Sequence, residues 1–299
     1  MKYLYYPGCS LKATGRAYEE STLAVFEALE QQLEELQDWN CCGATAYMSV
    51  DEMKAFTLGA RNLALAERQD GDGDVALVAP CSGCYLVLSK TQHYLDQYKT
   101  VRQRVQGALQ TAKLSYDGRV HVRHPLDILV NEVGIQAIAA KVQHPLRGLK
   151  VACYYGCQIV RPYAAFDDQV NPMCMDRLVQ ALGAEAVDWP LKTRCCGGSL
   201  LGTQPQVGLP LSYILLQEAR KRGAQVVATA CPLCQFNLEC YQGPMRRRFH
   251  DNLELPVVYF TQLVGLALGI SRRRLGLQRS LVPWRWQPGA QEGSAHVPA

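Results

Sequence analysis

Val75-Ala76-Leu77-Val78-Ala79-Pro80-Cys81-Ser82-Gly83-Cys84 returns in the second half of the chain as Val226-Val227-Ala228-Thr229-Ala230-Cys231-Pro232-Leu233-Cys234. In both places a short apolar run, sized for a buried strand rather than a helix, ends on a Cys-x-x-Cys. Reading backwards, each stretch is preceded by a Cys-Cys-Gly, Cys41-Cys42-Gly43 and Cys195-Cys196-Gly197, and before that by one cysteine, Cys9 or Cys157. The gaps are 31 and 38 residues in the first copy and 37 and 34 in the second. The flanks repeat as well: Tyr5-Tyr6-Pro7-Gly8 precedes Cys9 as Tyr154-Tyr155-Gly156 precedes Cys157, and Asp38-Trp39 matches Asp188-Trp189. A period of half the chain implies two homologous domains rather than a solenoid.

Around these stretches, strand-like and helix-like segments alternate. The pattern predicts strands at Lys2 to Tyr6, Val75 to Ala79, Val120 to Val122, Lys150 to Tyr155, Val226 to Thr229 and Val257 to Phe260. Leu23, Phe26, Leu29, Leu33 and Leu36 recur every three or four residues, which predicts one amphipathic helix from Glu19 to Leu36. Further helices are expected at Asp51 to Glu67, Leu86 to Leu95, Pro125 to Val133, Leu209 to Arg222 and Thr261 to Leu268. Another is expected to open at Asn171-Pro172, with proline at its first position, and to close at Gly183. Such alternation gives an α/β fold: two pseudo-repeated domains, each a parallel sheet flanked by helices. Cys9, Cys81, Cys157 and Cys231 all follow a predicted strand, so the cysteines gather at strand C-terminal ends, where this architecture collects its ligands. The expected boundaries are 1–145 for the first domain, 146–270 for the second, and 271–299 for a flexible tail rich in Arg, Gly, Ser and Pro.

Bulk properties exclude several classes. The 299 residues are 48% hydrophobic and 19% charged, the make-up of an ordinary globular protein. A net charge of +4, much of it near Arg272-Arg273-Arg274, does not make a nucleic-acid surface. Leu263 to Ile270 is the best apolar run and is far short of the ~20 residues of a membrane span. Lys2 to Tyr6 stops at Pro7-Gly8, so no signal peptide is read and a cytoplasmic location is expected. In that compartment thiols stay reduced, and thirteen cysteines point to metal or redox chemistry instead of a disulfide framework.

Five cysteines per set is one more than a tetrahedral zinc site takes. Adjacent thiolates such as Cys41-Cys42 suit neighbouring metal ions, and iron–sulfur clusters are held by cysteine thiolates, so a multi-iron cluster is the natural inference, with zinc in one half as the rival. Gly43 and Gly197 would let the backbone pass close to bulky inorganic sulfide. Cys174 and Cys240 read as small buried hydrophobes, and Cys153 as core. His121 and His124, beside Pro125, read as structural residues, and Asp167-Asp168 as solvated loop charges.

Cysteine, a gap of thirty-odd, Cys-Cys-Gly, a similar gap and Cys-x-x-Cys resembles the CCG domain, and two copies in one chain resemble the B subunit of heterodisulfide reductase and its bacterial relatives. The matching stretches include Tyr6-Pro7-Gly8-Cys9-Ser10, Asn40-Cys41-Cys42-Gly43, Cys81-Ser82-Gly83-Cys84-Tyr85 and Tyr155-Gly156-Cys157, and the resemblance runs from Lys2 to about Ile270. It implies two noncubane [4Fe-4S] clusters, one on Cys9, Cys41, Cys42, Cys81 and Cys84, the other on Cys157, Cys195, Cys196, Cys231 and Cys234. It also implies redox chemistry on a disulfide, thiol or persulfide, carrier-bound in some bacterial relatives that serve dissimilatory sulfur metabolism. Asn40-Cys41-Cys42-Gly43-Ala44-Thr45 looks like those relatives. The chain has no Cys-x-x-Cys-x-x-Cys-x-x-x-Cys run and no Gly-x-Gly-x-x-Gly loop, so electrons must pass through another subunit. The resemblance implies a ferredoxin-like C subunit and a flavoprotein A subunit. Two other classes stay open: an iron–sulfur electron-transfer or anchor subunit of a succinate or hydroxy-acid dehydrogenase, and a zinc-stapled interaction scaffold.

Overall fold

In the computed structural model, which describes residues 2–44, 46–71, 73–163 and 165–286, the duplication is visible in the topology. Strands β1 (Lys2–Tyr5), β2 (Gln32–Glu35), β3 (Val75–Val78) and β4 (Val120–Arg123) form a parallel sheet in the order β2-β1-β3-β4. Strands β5 (Lys150–Tyr154), β6 (Glu185–Ala186), β7 (Val226–Thr229) and β8 (Val257–Tyr259) form another in the order β6-β5-β7-β8. All four residues of β7 and four of the five in β5 are buried, because helices cover both faces of a parallel sheet. This is the two-domain α/β architecture that the sequence predicts.

The helices that matter for the site are α1 (Arg16–Ala28), α2 (Glu52–Asp70), α3 (Ser82–Gln97), α4 (Cys174–Ala181), α5 (Pro205–Lys221), α6 (Pro232–Cys240) and α7 (Phe260–Ala267). Asp51 caps α2 by accepting from the Lys54 amide at 3.1 Å, as expected of an aspartate ahead of an apolar-periodic run. The halves join through α1 and α7. Tyr18 stacks on Tyr259 with ring centroids 4.3 Å apart, and the Ser21 and Thr261 hydroxyls lie 2.6 Å apart. A stacked aromatic pair contributes about 0.5–1.5 kcal/mol beyond its buried area. One apolar core runs from Tyr3 to Trp284 across both halves, and a second lies within the second half around Trp189 and Val257.

Three expectations change. The helix expected over 19–36 ends at Ala28: Glu30 takes a positive φ of 61°, and the chain turns back as β2 beside β1. The helix expected at Pro172 starts two residues later, because the Asp167 carboxylate accepts from the Met173 and Cys174 amides (2.9 and 2.7 Å) and fixes the start there. The segment expected as a tail is packed as far as Trp286. Leu275, Leu277 and Trp284 are buried, Trp284 stacks on Trp286 at 5.9 Å, and the Arg272 guanidinium donates to the Trp284 and Trp286 carbonyls. The remainder of that expected tail, 287–299, lies outside the described residues.

Candidate metal-thiolate site

Each Cys-x-x-Cys sits where a strand hands over to a helix. Cys81 ends the segment after β3 and precedes α3, and Cys231 ends the segment after β7 and precedes α6. Their partners Cys84 and Cys234 lie in the first helical turns and are buried. Cys42 Sγ lies 3.3 Å from Cys84 Sγ, and Cys196 Sγ lies 3.6 Å from Cys234 Sγ. Both Cys-Cys-Gly turns are thereby folded onto the Cys-x-x-Cys helix of their own half. Cys41 contacts Cys42 with Cys9 beside it, and Cys157 contacts Cys195. Cys157, Cys195, Cys196, Cys231 and Cys234 all line one cavity of about 230 Å³, together with Gln158, Ser199 and, from the first half, Ser49 and Ser82.

The two sets touch. Cys81 and Cys231 are neighbours across the two halves, so sulfurs run from Cys41 through Cys42, Cys84, Cys81, Cys231 and Cys234 to Cys196. Crowded thiols cannot all ionise: Cys42, Cys81 and Cys196 are held down, while Cys41, Cys84, Cys231 and Cys234 are pushed up. Hydrogen bonds from Cys41 and Cys84 hold Cys42 down at about 4. Bonds from Cys231 and Cys84 hold Cys81 well below the usual thiol range, while donating to Cys42 and Cys81 pushes Cys84 up. Cys195, exposed, is held at about 6 by Cys157 and the Gly197 amide, which donates at 3.3 Å. Among the described residues, no three His, Cys, Asp or Glu side chains gather around a single-ion position. The five thiols of the second set are instead spread over the walls of one cavity, a donor set that fits a polynuclear metal group.

The glycines divide into two jobs. Gly43 and Gly197 have φ of 81° and 99°, which requires glycine, and the atoms nearest to an added Cβ would belong to Ala55 and Leu58, and to Leu201 and Gly208. Gly8 and Gly156 (φ 66° and 71°) face sulfur: an added Cβ would stand 3.0 Å from Cys84 Sγ and 3.2 Å from Cys234 Sγ. The structure also corrects the internal alignment by one residue. Tyr6 Oη donates to Asn40 O at 2.7 Å and Tyr154 Oη to Arg194 O at 2.6 Å, each the carbonyl just ahead of a Cys-Cys-Gly. Tyr6 therefore corresponds to Tyr154, and their Trp neighbours Trp39 and Trp189 lie 5.7 and 6.0 Å away.

Of the remaining cysteines, Cys153 and Cys174 are buried as expected, whereas Cys240 is exposed, because α6 turns that position outward. His121 is exposed, 4.0 Å from Asp74. His124 is fully buried at the meeting of the two sets, and that burial lowers its pKa to about 4. Sequence reasoning missed Lys192 and Asp176, a buried ion pair 2.9 Å apart. Asp176 also accepts from Tyr155 Oη at 2.6 Å, while the Lys192 carbonyl accepts the Tyr155 and Gly156 amides at 2.9 and 3.1 Å, just ahead of Cys157. A lysine three residues before Cys195 was the only available signal.

Known proteins resemble this chain in sequence and in fold. The profile of the cysteine-rich CCG domain matches residues 3–89 and 151–239. The 8-methylmenaquinol:fumarate reductase membrane anchor subunit of Wolinella succinogenes is 32% identical, with 94% of this chain and 97% of that protein covered. The B subunit of the ferredoxin/F(420)H(2)-dependent CoB-CoM heterodisulfide reductase of Methanosarcina acetivorans is 28% identical, with 94% of each covered. A protein of Archaeoglobus profundus described as like the heterodisulfide reductase B subunit is also 28% identical, covering 92% of this chain and 93% of that protein. The crystal structure of a hypothetical protein from Helicobacter pylori shares the fold, with TM-score 0.76 and 15% identity, over 95% of this chain and 52% of that one. Together with the cysteine sets, these relatives point to metal or iron–sulfur binding in a redox subunit of a larger complex. Among the described residues no helix is long and apolar enough to cross a membrane.

Proposed function

The chain belongs to the cysteine-rich CCG family that includes the heterodisulfide reductase B subunit, and from that premise we propose that it is the catalytic subunit of a heterodisulfide reductase-like complex. Cys9, Cys41, Cys42, Cys81 and Cys84 would hold one noncubane [4Fe-4S] cluster, and Cys157, Cys195, Cys196, Cys231 and Cys234 the other. When bound, such groups supply one-electron redox steps and iron that accepts a thiolate. Cleaving a disulfide consumes two electrons and releases two thiolates, so two adjacent sites match both demands. The observation that carries the proposal is the contact of the two sulfur sets at Cys81 and Cys231.

The chain's own residues would set the direction of approach. Cys42, Cys81, Cys84, Cys196, Cys231 and Cys234 are buried and exclude water, while Cys9, Cys41 and Cys195 are exposed and Cys157 is partly so. A sulfur substrate would enter from that open side, past Ser49, Gln158 and Ser199. Electrons would come through a ferredoxin-like C subunit and a flavoprotein A subunit in the cytoplasm, in service of disulfide, thiol or persulfide conversion in sulfur metabolism.

A second reading has its own support. The fumarate reductase relative, at 32% identity over nearly the whole chain, favours an electron-transfer or anchor subunit of a dehydrogenase. Metal analysis of protein purified without oxygen tests the shared premise: about eight irons and matching sulfide per chain are expected from two four-iron clusters. Cys42→Ser and Cys196→Ser should each lower the iron content, and full iron in both variants, or zinc in its place, would sink the two-cluster assignment. Turnover of a disulfide by the purified complex supports the first reading. Quinol-dependent fumarate reduction without disulfide turnover supports the second.

A further inference from the structure

One side chain reaches the backbone of both halves at the seam between the two sulfur sets. His124 follows β4 directly, is fully buried, and places Nε2 2.9 Å from Pro80 O and 3.3 Å from Ala230 O. These are the carbonyls immediately ahead of Cys81 and Cys231, one in each half. The tautomer follows from its neighbours. The Leu126 amide donates to Nδ1 at 3.1 Å, so Nδ1 carries no proton and Nε2–H is the donor shared by the two carbonyls. A protonated ring would set an N–H against the Leu126 N–H.

The grip on Ala230 O is reinforced from the first half alone. Ser82 Oγ donates to it at 3.1 Å from the start of α3, and Tyr18 Oη at 3.4 Å from α1. By strand register, the residue of the second half that corresponds to His124 is Tyr259: Val78 pairs with Arg123 as Ala228 pairs with Val258. Both are the N-cap of the helix that follows their strand, Pro125–Asp127 and Phe260–Ala267. The duplication is broken at this point: His124 reaches a carbonyl in each half, whereas the Tyr259 ring stacks on Tyr18 at 4.3 Å.

We propose that His124 is a positioning residue whose single Nε2–H fixes the spacing of Cys81 and Cys231, and with it the spacing of the two metal groups. The second part of this statement rests on the two-cluster reading above, and the first does not. A purely local role is the competing account, since His124 also caps the short helix Pro125–Asp127.

Two substitutions separate these roles. His124→Asn can still accept from the Leu126 amide, as asparagine does at helix starts, but falls short of the carbonyls. His124→Gln carries an amide donor out to the Nε2 position and gives up the cap. The metal-free full-length chain is exposed to oxidised glutathione, and Cys81–Cys231 and Cys42–Cys84 linkages are followed by peptide mass spectrometry. We expect His124→Asn to slow the Cys81–Cys231 linkage about tenfold, with Cys42–Cys84 unchanged, and His124→Gln to restore most of the rate. The reverse pattern, with Asn behaving as the parent and Gln impaired, overturns the proposal. Should both variants fail to fold, ¹⁵N spectra of the metal-free parent chain decide. A neutral ring protonated at Nε2 is expected, and a proton on Nδ1 near neutral pH overturns it. A chain that binds no iron but keeps this linkage pattern would remove the cluster reading and leave the seam assignment standing.

Discussion

The two halves share a sheet order, a sulfur spacing and a tyrosine tie, yet they brace their Cys-Cys-Gly turns by opposite means. In the first half the charged bracing is at the surface: Asn40 receives Arg61 Nη1 at 3.0 Å and Arg61 pairs with Asp38 at 2.6 Å, while the neutral, buried Asn62 side chain receives the Asn40 amide at 2.9 Å. In the second half the bracing is interior. Lys192 and Asp176 are each almost wholly buried, and Lys192 ties the approach to Cys195 both to α4 and to the Cys157 turn. Duplication preserved what the sulfurs require and left the support free to diverge. A solvated pair and a buried pair can hold the same geometry at very different energetic risk.

That contrast can be broken most forcefully at Lys192. Lys192→Met leaves the Asp176 carboxylate buried without its cation and should cost about 3–5 kcal/mol, read by urea denaturation. Replacing Asp176 with Leu in the same chain should recover a large part of this, since a buried pair adds little over apolar packing. A Lys192→Met variant of parental stability would show that the interior brace is idle.

The shared element is tested next, by Gly8→Ala and Gly156→Ala. Each places a methyl against the second sulfur of its Cys-x-x-Cys, at 3.0 and 3.2 Å, in a left-handed backbone. Strain of about 1–2 kcal/mol is expected for each, with iron per chain reduced in both and more so for Gly8→Ala. Normal iron in both variants would mean that the glycines serve the turn alone. The smallest effect is expected at the surface brace: Arg61→Met should cost less than about 1 kcal/mol by the same urea measurement. A loss as large as that at Lys192 would erase the distinction between the halves.

The cysteine pattern made most of the architecture legible. Val75 to Val78 and Val226 to Thr229 could be read as strands because both faces of a parallel sheet are buried and the run is uniformly apolar. Strand β2 could not. Gln32–Glu35 is polar, half exposed and in phase with the leucines of α1, and only pairing with Lys2–Tyr5 makes it a strand. The start of α4 was hidden for a related reason. Its cap comes from Asp167, seven residues before Cys174, rather than from the residue next to it. Trp284 and Trp286 read as tail because the charge and glycine around them outweigh two aromatic residues in any local window, and their partner Arg272 lies a dozen residues upstream.

By itself the sequence determined that there are two copies, which ten cysteines form the sets, and that each Cys-x-x-Cys stands between a strand and a helix. These are properties of spacing and of local apolar runs, which a linear reading preserves. The tertiary structure alone decided that the sets meet at Cys81 and Cys231, that His124 rather than its neighbour His121 lies at that seam, and that Lys192 finds Asp176 inside the protein. The carbonyl of Ala230 and the ring of His124 are separated by 106 positions. Their meeting depends on how two folded halves pack, and nothing in either local stretch carries that information.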